Sequence, residues 1–98
     1  MNDEQQNLAF RFAHVALPAY ATDCGTWEWH EDAWRRFFAV KQWNVGSICV
    51  RVAGEQTHHG QVTRWLHIGG EDKFTKSNRR HLMEALEDAG NLLDSLAR

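Results

Sequence analysis

The sequence predicts an α+β domain in which an antiparallel sheet of four strands is packed by a long C-terminal amphipathic helix, with a short helix at the N-terminus. Three observations lead there. Two runs in the middle of the chain alternate apolar and polar residues. Leu82, Leu86, Ala89, Leu93 and Leu96 recur at spacings of four and three. The length of 98 residues, with 43% hydrophobic and 24% charged residues, suits one hydrophobic core and leaves no room for two. One domain over residues 1–98 is therefore expected.

Residues 2–17 suit a helix, with Asn2 or Asp3 as cap and Leu8, Phe12 and Val15 on one face. The alternation of Leu8, Phe10 and Phe12 suits a strand as well. Pro18 pushes Leu17 away from helical geometry, so either form ends before it. Residues 21–25 read as a loop and Thr26–His30 as a short strand. In Trp34–Trp43, the set Trp34, Phe38 and Val40 suits a strand, whereas Ala33, Phe37 and Val40 suit a helix. Aromatic and β-branched content selects the strand. Asn44-Val45-Gly46 then turns the chain.

The two clearest strands are Ser47–Val52 and Gln61–Ile68. Ile48, Val50 and Val52 share one face of the first, and Val62, Leu66 and Ile68 one face of the second, as in a half-buried sheet. Gly54 to Gly60 would close them as a hairpin. The helix should run from about Lys76 to Ala97, capped by Thr75 or Ser77, with Glu84, Glu87, Asp88 and Asp94 on its outer side. Gly90 within it suggests a close contact with the sheet or a slight kink.

Charge is distributed unevenly along a chain whose net charge is only −2. Residues 1–32 hold one basic residue, Arg11, against six acidic ones, while residues 33–70 hold Arg35, Arg36, Lys41, Arg51 and Arg64 against Glu55 alone. The sheet is therefore the basic part, which bears on partners rather than on fold. No stretch is long and apolar enough to span a membrane, and the acidic start Met1-Asn2-Asp3-Glu4 lacks the basic n-region of a signal peptide. A cytoplasmic protein is expected. Cys24 and Cys49 have no CxxC spacing and should remain thiols.

The run Arg36-Phe37-Phe38-Ala39-Val40-Lys41-Gln42-Trp43-Asn44-Val45-Gly46, followed by a β-hairpin and a long helix, resembles the PUR repeat. The likeness lies in a Phe-rich strand, an N-x-x-G-like turn and a closing helix, and it covers residues 26–97. PC4-like single-strand binders are similar in outline. The resemblance implies binding of single-stranded DNA or RNA across the sheet, and dimerisation.

Alternation makes a separate case from the residues themselves. If the apolar sets lie under the helix, then Cys49, Arg51, Thr63, Trp65 and His67 point outward. Phe37, Lys41 and Trp43 on the preceding strand would join them, mixing cations with large rings. Bases stack on such rings while Lys and Arg hold phosphates. The expected nucleic-acid-binding residues are thus Lys41, Trp43, Arg51, Trp65 and His67. Trp43 and Trp65 equally suit a second core layer under residues 2–17 or a dimer interface.

At the start of the last helix, Lys76, Arg79 and Arg80, with Lys73 and His81 nearby, stand where the macrodipole disfavours positive charge. With Gly69-Gly70 before them they suit a phosphate or other anion. A solvated basic turn paired with Glu71, Asp72 or Glu84 is the alternative.

Catalysis finds no G-x-S-x-G, H-E-x-x-H, Walker or dinucleotide fingerprint. His58-His59 with His67 or Cys49 have metal-ligand chemistry, but adjacent loop histidines are more often solvated. Cys24 and His30 lack an orienting third group, and Glu28, Glu31 and Asp32 lack a pocket. The expectation is a non-enzymatic module without cofactor or metal, binding single-stranded nucleic acid on the sheet and possessing the means to form a homodimer. The competing expectation is a protein-binding inhibitor of phage or mobile-element type, resembling an anti-CRISPR, in which Asp23, Glu28, Glu31 and Asp32 mimic phosphate toward a host nucleoprotein.

Overall fold

The alternating strands of the chain's middle build one twisted antiparallel sheet, and the computed structural model describes it over residues 3–97. The elements are helix α1 (Asp3–Arg11), strands β1 (Asp23–Cys24), β2 (Glu28–His30), β3 (Ala33–Val45), β4 (Ile48–Thr57) and β5 (Val62–Gly69), and helix α2 (Lys76–Leu96). The α+β class, the short N-terminal helix and the long closing helix are as the sequence predicts. Strand order is β1-β3-β4-β5, and β2 pairs with β3 as well, so the short β1 and β2 share the edge of β3 that β4 leaves free.

Cross-strand neighbours share a face, so the register sorts the side chains. Val45 opposes Ile48, Trp43 opposes Val50 and Lys41 opposes Val52, while Leu66 and Ile68 on β5 oppose Val52 and Val50. This face receives α2. Val50 and Val52 are fully buried there against Ala85 and Ala89, with Phe38, Val40, Val45 and Ile48 completing the main core. Small alanines on the contact side let the helix lie close to the sheet. Toward the other end of the same face, Leu8, Phe12 and Trp27 form a second buried cluster, backed by Val15 and Trp34. The opposite face of the sheet receives neither helix.

Several boundaries differ from the sequence reading, each for a physical reason. Asn2, one of the two suggested caps of the first helix, lies outside the described residues. The helix stops at Arg11 rather than near Leu17: past it the Ala13 and Val15 N–H groups donate only three residues back, to Phe10 O at 3.3 Å and Phe12 O at 2.9 Å, so the chain tightens into turns. Val15 O then accepts from Arg36 Nη2 at 3.2 Å and Ala16 O from Gln56 Nε2 at 2.6 Å, which ties this stretch to the sheet before Pro18. The 21–25 loop contains strand β1, whose flanking Gly25 donates to Phe37 O at 2.7 Å.

Strand β4 runs on through Gly54 to Thr57, so the expected loop from Gly54 shrinks to the residues between Thr57 and Val62. Gly54 is a packing glycine: a Cβ there would strike the Thr63 carbonyl and come within 2.6 Å of the Phe38 ring. The turn after β3 is tighter than Asn44-Val45-Gly46. Asn44 and Val45 remain in the strand, and Gly46 turns with φ 58°, tied down by the Ser47 N–H donating to the Asp72 carboxylate at 2.8 Å. Helix α2 is capped by Thr75, one of the two expected caps, in a reciprocal capping box with Asn78. Gly90 makes no close approach to the sheet, since a Cβ there meets no heavy atom within 4 Å.

Candidate functional site

The uncovered face of the sheet carries the strongest candidate, and its rows follow from register. Asp23, Ala39, Ala53 and Trp65 form one lateral row across β1, β3, β4 and β5. On one side lies the row Phe37, Glu55 and Thr63, and on the other Gln42, Arg51 and His67. Alanines on the two central strands leave a low floor between taller neighbours. The result is a groove of about 420 Å³ lined by Asp23, Gly25, Phe37, Ala39, Arg51, Ala53, Trp65 and His67, among others.

Its walls are aromatic and its ends polar. The Phe37 and Trp65 rings meet edge to face, 6.2 Å between centroids, and Phe37 is 54% exposed. Arg51 Nη2 lies 3.5 Å from His67 Nδ1, both side chains being exposed. Asp23 closes the opposite end from the short edge strand. Edge-to-face rings with a cation on one side and an acceptor on the other suit a flat aromatic ligand that carries polar edges.

Of the five residues expected to bind nucleic acid, Arg51, Trp65 and His67 come together here, and Phe37 joins them. Lys41 and Trp43 do not. The register shifts between Ala39 and Lys41, a β-bulge with Val40 as the unpaired residue. Strict alternation from Phe37 would put Lys41 and Trp43 beside it, but one extra residue reverses the parity. Trp43 therefore packs against the main core beneath α2, and the Lys41 ammonium sits 5.1 Å from the Trp43 ring centroid on that side. Thr22 serves the bulge: its backbone N–H and hydroxyl donate to Ala39 O at 2.8 and 3.3 Å, and the hydroxyl also lies 3.3 Å from Val40 O.

The open face is also poorer in cations than the composition of the sheet suggests, because most sheet cations are committed elsewhere. Arg36 grips Gln56 Oε1 at 2.8 and 2.9 Å and lies 4.5 Å from the Trp27 ring on the packed face. Arg64 lies over the Phe38 ring at 5.9 Å, its Nε buried and without a hydrogen-bond partner among the described residues. Arg35 is on the open face but pairs with Glu55 at 2.8 Å, both only about one-fifth exposed at 21% and 22%. Arg51 is left as the cation facing the groove.

Beside the groove, Glu28, Trp29, His30, Arg35, Phe37 and Glu55 line a smaller depression of about 280 Å³. Glu31 and Asp32 form the β2–β3 turn with φ of 51° and 64°. Glu28, Glu31, Asp32 and Asp23 are all exposed, so the open face has an acidic border along the β1/β2 edge.

Lys76, Arg79 and Arg80 are exposed on the outer side of α2 and share a surface depression with Met83, Glu84 and Glu87. The Asn78 N–H at this terminus is directed at Thr75 Oγ1, 3.5 Å away, and the Arg79 N–H donates to Thr75 O at 3.0 Å. The cations thus run along the helix beside carboxylates rather than converging on its end.

No group of three or more metal-ligating side chains is assembled among the described residues. His58 and His59 stack 3.9 Å apart, and His58 Nδ1 accepts the Trp34 N–H at 3.2 Å, which binds the loop to β3. Cys24 is half-buried, and desolvation pushes its thiol pKa up; Arg36 acts in the opposite direction and Asp23 in the same one. That environment favours the thiol over the nucleophilic thiolate. Both cysteines are free. Among the described residues no helix is long and apolar enough to cross a membrane. Comparison with family models, with curated proteins and with solved structures found no match for this chain.

Proposed function

We propose that the chain is a non-enzymatic binding module that takes an unpaired base of single-stranded nucleic acid in the groove of the open sheet face. The observation that carries this reading is the alanine floor of Ala39 and Ala53 bordered by the Phe37–Trp65 ring pair, with Arg51 and His67 at one side. A base stacks on Trp65 or Phe37, and Arg51 holds an adjoining phosphate. Because Lys41 and Trp43 stand on the far side of the sheet, the footprint is short. One or two nucleotides fill it.

Titration of short single-stranded oligonucleotides at low salt, followed by tryptophan fluorescence, tests this directly. Trp65→Ala should weaken binding by about 1–3 kcal/mol while the far-UV circular dichroism stays that of the folded protein. Absence of binding by the wild type at low salt rules the reading out. In that event the acidic border of Asp23, Glu28, Glu31 and Asp32 supports the second reading, an inhibitor that docks this edge on the basic surface of a host nucleoprotein.

A further inference from the structure

The two edges of the sheet are built differently. On the β3 side the edge is divided between β1, of two residues, and β2, of three, and exposed Asp23, Glu28, Glu31 and Asp32 border it. Short strands and charges are devices that keep a sheet edge from pairing with another chain. The other edge is β5, which among the described residues pairs with β4 alone. It has none of these devices. Its eight residues keep an unbroken register against β4 and include no proline, lysine or acidic residue. Its one arginine, Arg64, is turned onto the Phe38 ring of the main core. The segment that follows does not run along β5 either. A Cβ at Gly70 would strike the Ser47 carbonyl, and the Asp72 carboxylate accepts the Ser47 N–H, so the chain leaves toward the β3–β4 turn.

Hydrogen bonding fixes which backbone groups that edge presents. The Thr57 N–H donates to Gln61 O at 2.9 Å, and antiparallel pairs alternate by two. Thr63, Trp65 and His67 therefore turn their N–H and C=O groups to β4, while those of Val62, Arg64, Leu66 and Ile68 point out from the sheet. Ile68, on the packed side, is 52% exposed at this same edge and lies outside the core cluster.

We propose that two copies of this chain associate by antiparallel pairing of β5 with the partner's β5, with the twofold axis at Trp65. This register engages all four outward residues on each strand, since Val62 then bonds with the partner's Ile68 and Arg64 with the partner's Leu66. It also keeps each side chain on the same face as the one it meets. On the packed side, exposed Ile68 is covered by the partner's Val62. On the open side, Thr63 stands opposite the partner's His67, and Trp65 meets the partner's Trp65, so the two grooves adjoin. Arg64 and the partner's Arg64 lie diagonally across the axis, and this contact opposes association. A second copy fits better than an unrelated strand because pairing then closes itself: each chain has one open edge, the dimer uses both, and the joined sheet ends on a β1/β2 border at either side. The pairing needs no ligand, so it stands apart from the nucleic-acid reading.

Sedimentation equilibrium and disulfide trapping of the full chain test the pairing. The wild type should be a dimer at high micromolar concentration. Ile68→Lys, at an exposed position, should raise the dimer dissociation constant by ~10-fold or more, with the urea midpoint of the diluted monomer unchanged. Thr63 and the partner's His67 form a non-hydrogen-bonded pair, with Cα atoms about 4.5 Å apart and within the span of a disulfide. A mixture of Thr63→Cys and His67→Cys chains should therefore cross-link under mild oxidation. Neither variant alone, each retaining Cys24 and Cys49, should do so. If Ile68→Lys does not fold, the cross-linking decides. A wild type that stays monomeric overturns the proposal, as does a dimer that a folded Ile68→Lys chain forms equally well. Mixed chains that cross-link no faster than either variant alone overturn it too.

Discussion

Trp43 and Trp65 look alike in the sequence, each a tryptophan in an alternating strand, and the sheet separates them by one residue of bulge. Trp65 stands in the open groove with Phe37, whereas Trp43 is part of the packing beneath α2. Trp43→Ala should therefore lower stability by about 1–3 kcal/mol, less than a fully buried tryptophan because the ring is only half-buried. Oligonucleotide affinity of the folded fraction should not change. Urea denaturation paired with the fluorescence titration separates the two effects, and a stable Trp43→Ala protein that has lost binding would place that ring on the wrong face. At the β2–β3 turn, Glu31 and Asp32 both hold positive φ, a conformation suited to Asn-Gly. Glu31→Asn together with Asp32→Gly should raise stability by roughly 1 kcal/mol. An unchanged or lower urea midpoint would mean that the side chains offset their backbone strain locally.

Strand β4 shows how one small residue sets the geometry of an element. Its Gly54 sits opposite Phe38 on one side and Arg64 on the other, with the Phe38 ring filling the space a side chain would need. Gly54→Ala should destabilise the protein by about 1–3 kcal/mol through overpacking, visible as a lower midpoint in urea. A neutral substitution would show that both the Phe38 ring and the Thr63 backbone give way. The same glycine hid the length of the strand, because glycine followed by polar residues resembles a loop and the pairing that extends β4 comes from β3 and β5, distant in sequence. In α2 the local rules held better. The cap and the heptad spacing depend on neighbours within four residues, so the spacing was legible before any tertiary contact was considered and the cap was narrowed to Thr75 or Ser77.

For the whole molecule, the basic character of residues 33–70 does not become a basic surface. Arg36 and Arg64 are turned to the packed face, Arg35 is neutralised by Glu55, Lys41 lies by Trp43, and Arg51 alone of the five faces the groove. Binding of a single-stranded oligonucleotide should accordingly lose affinity with salt at a slope corresponding to about one phosphate contact, near −0.7 in a double-logarithmic plot. Arg51→Ala should flatten it toward zero. A slope of several contacts would require cations beyond this face, and the Lys76, Arg79 and Arg80 row on α2 would be the place to look.

The class of the fold, the central hairpin, the closing helix and the outward set of Arg51, Trp65 and His67 were legible in the order of residues alone, because period-two and heptad patterns report directly on which side chains share a face. Where the bulge falls, and with it which face Lys41 and Trp43 occupy, depends on contacts made by the folded chain. Parity along a strand is a running count, and one residue left unpaired between Ala39 and Lys41 inverts everything after it. Such a bulge is fixed by partners far away in the chain, here the Thr22 bonds to Ala39 and Val40 and the need to bury Val40 beneath α2. The path of the chain after α1 has the same origin, since Arg36 and Gln56 reach across from the sheet to hold the carbonyls of Val15 and Ala16.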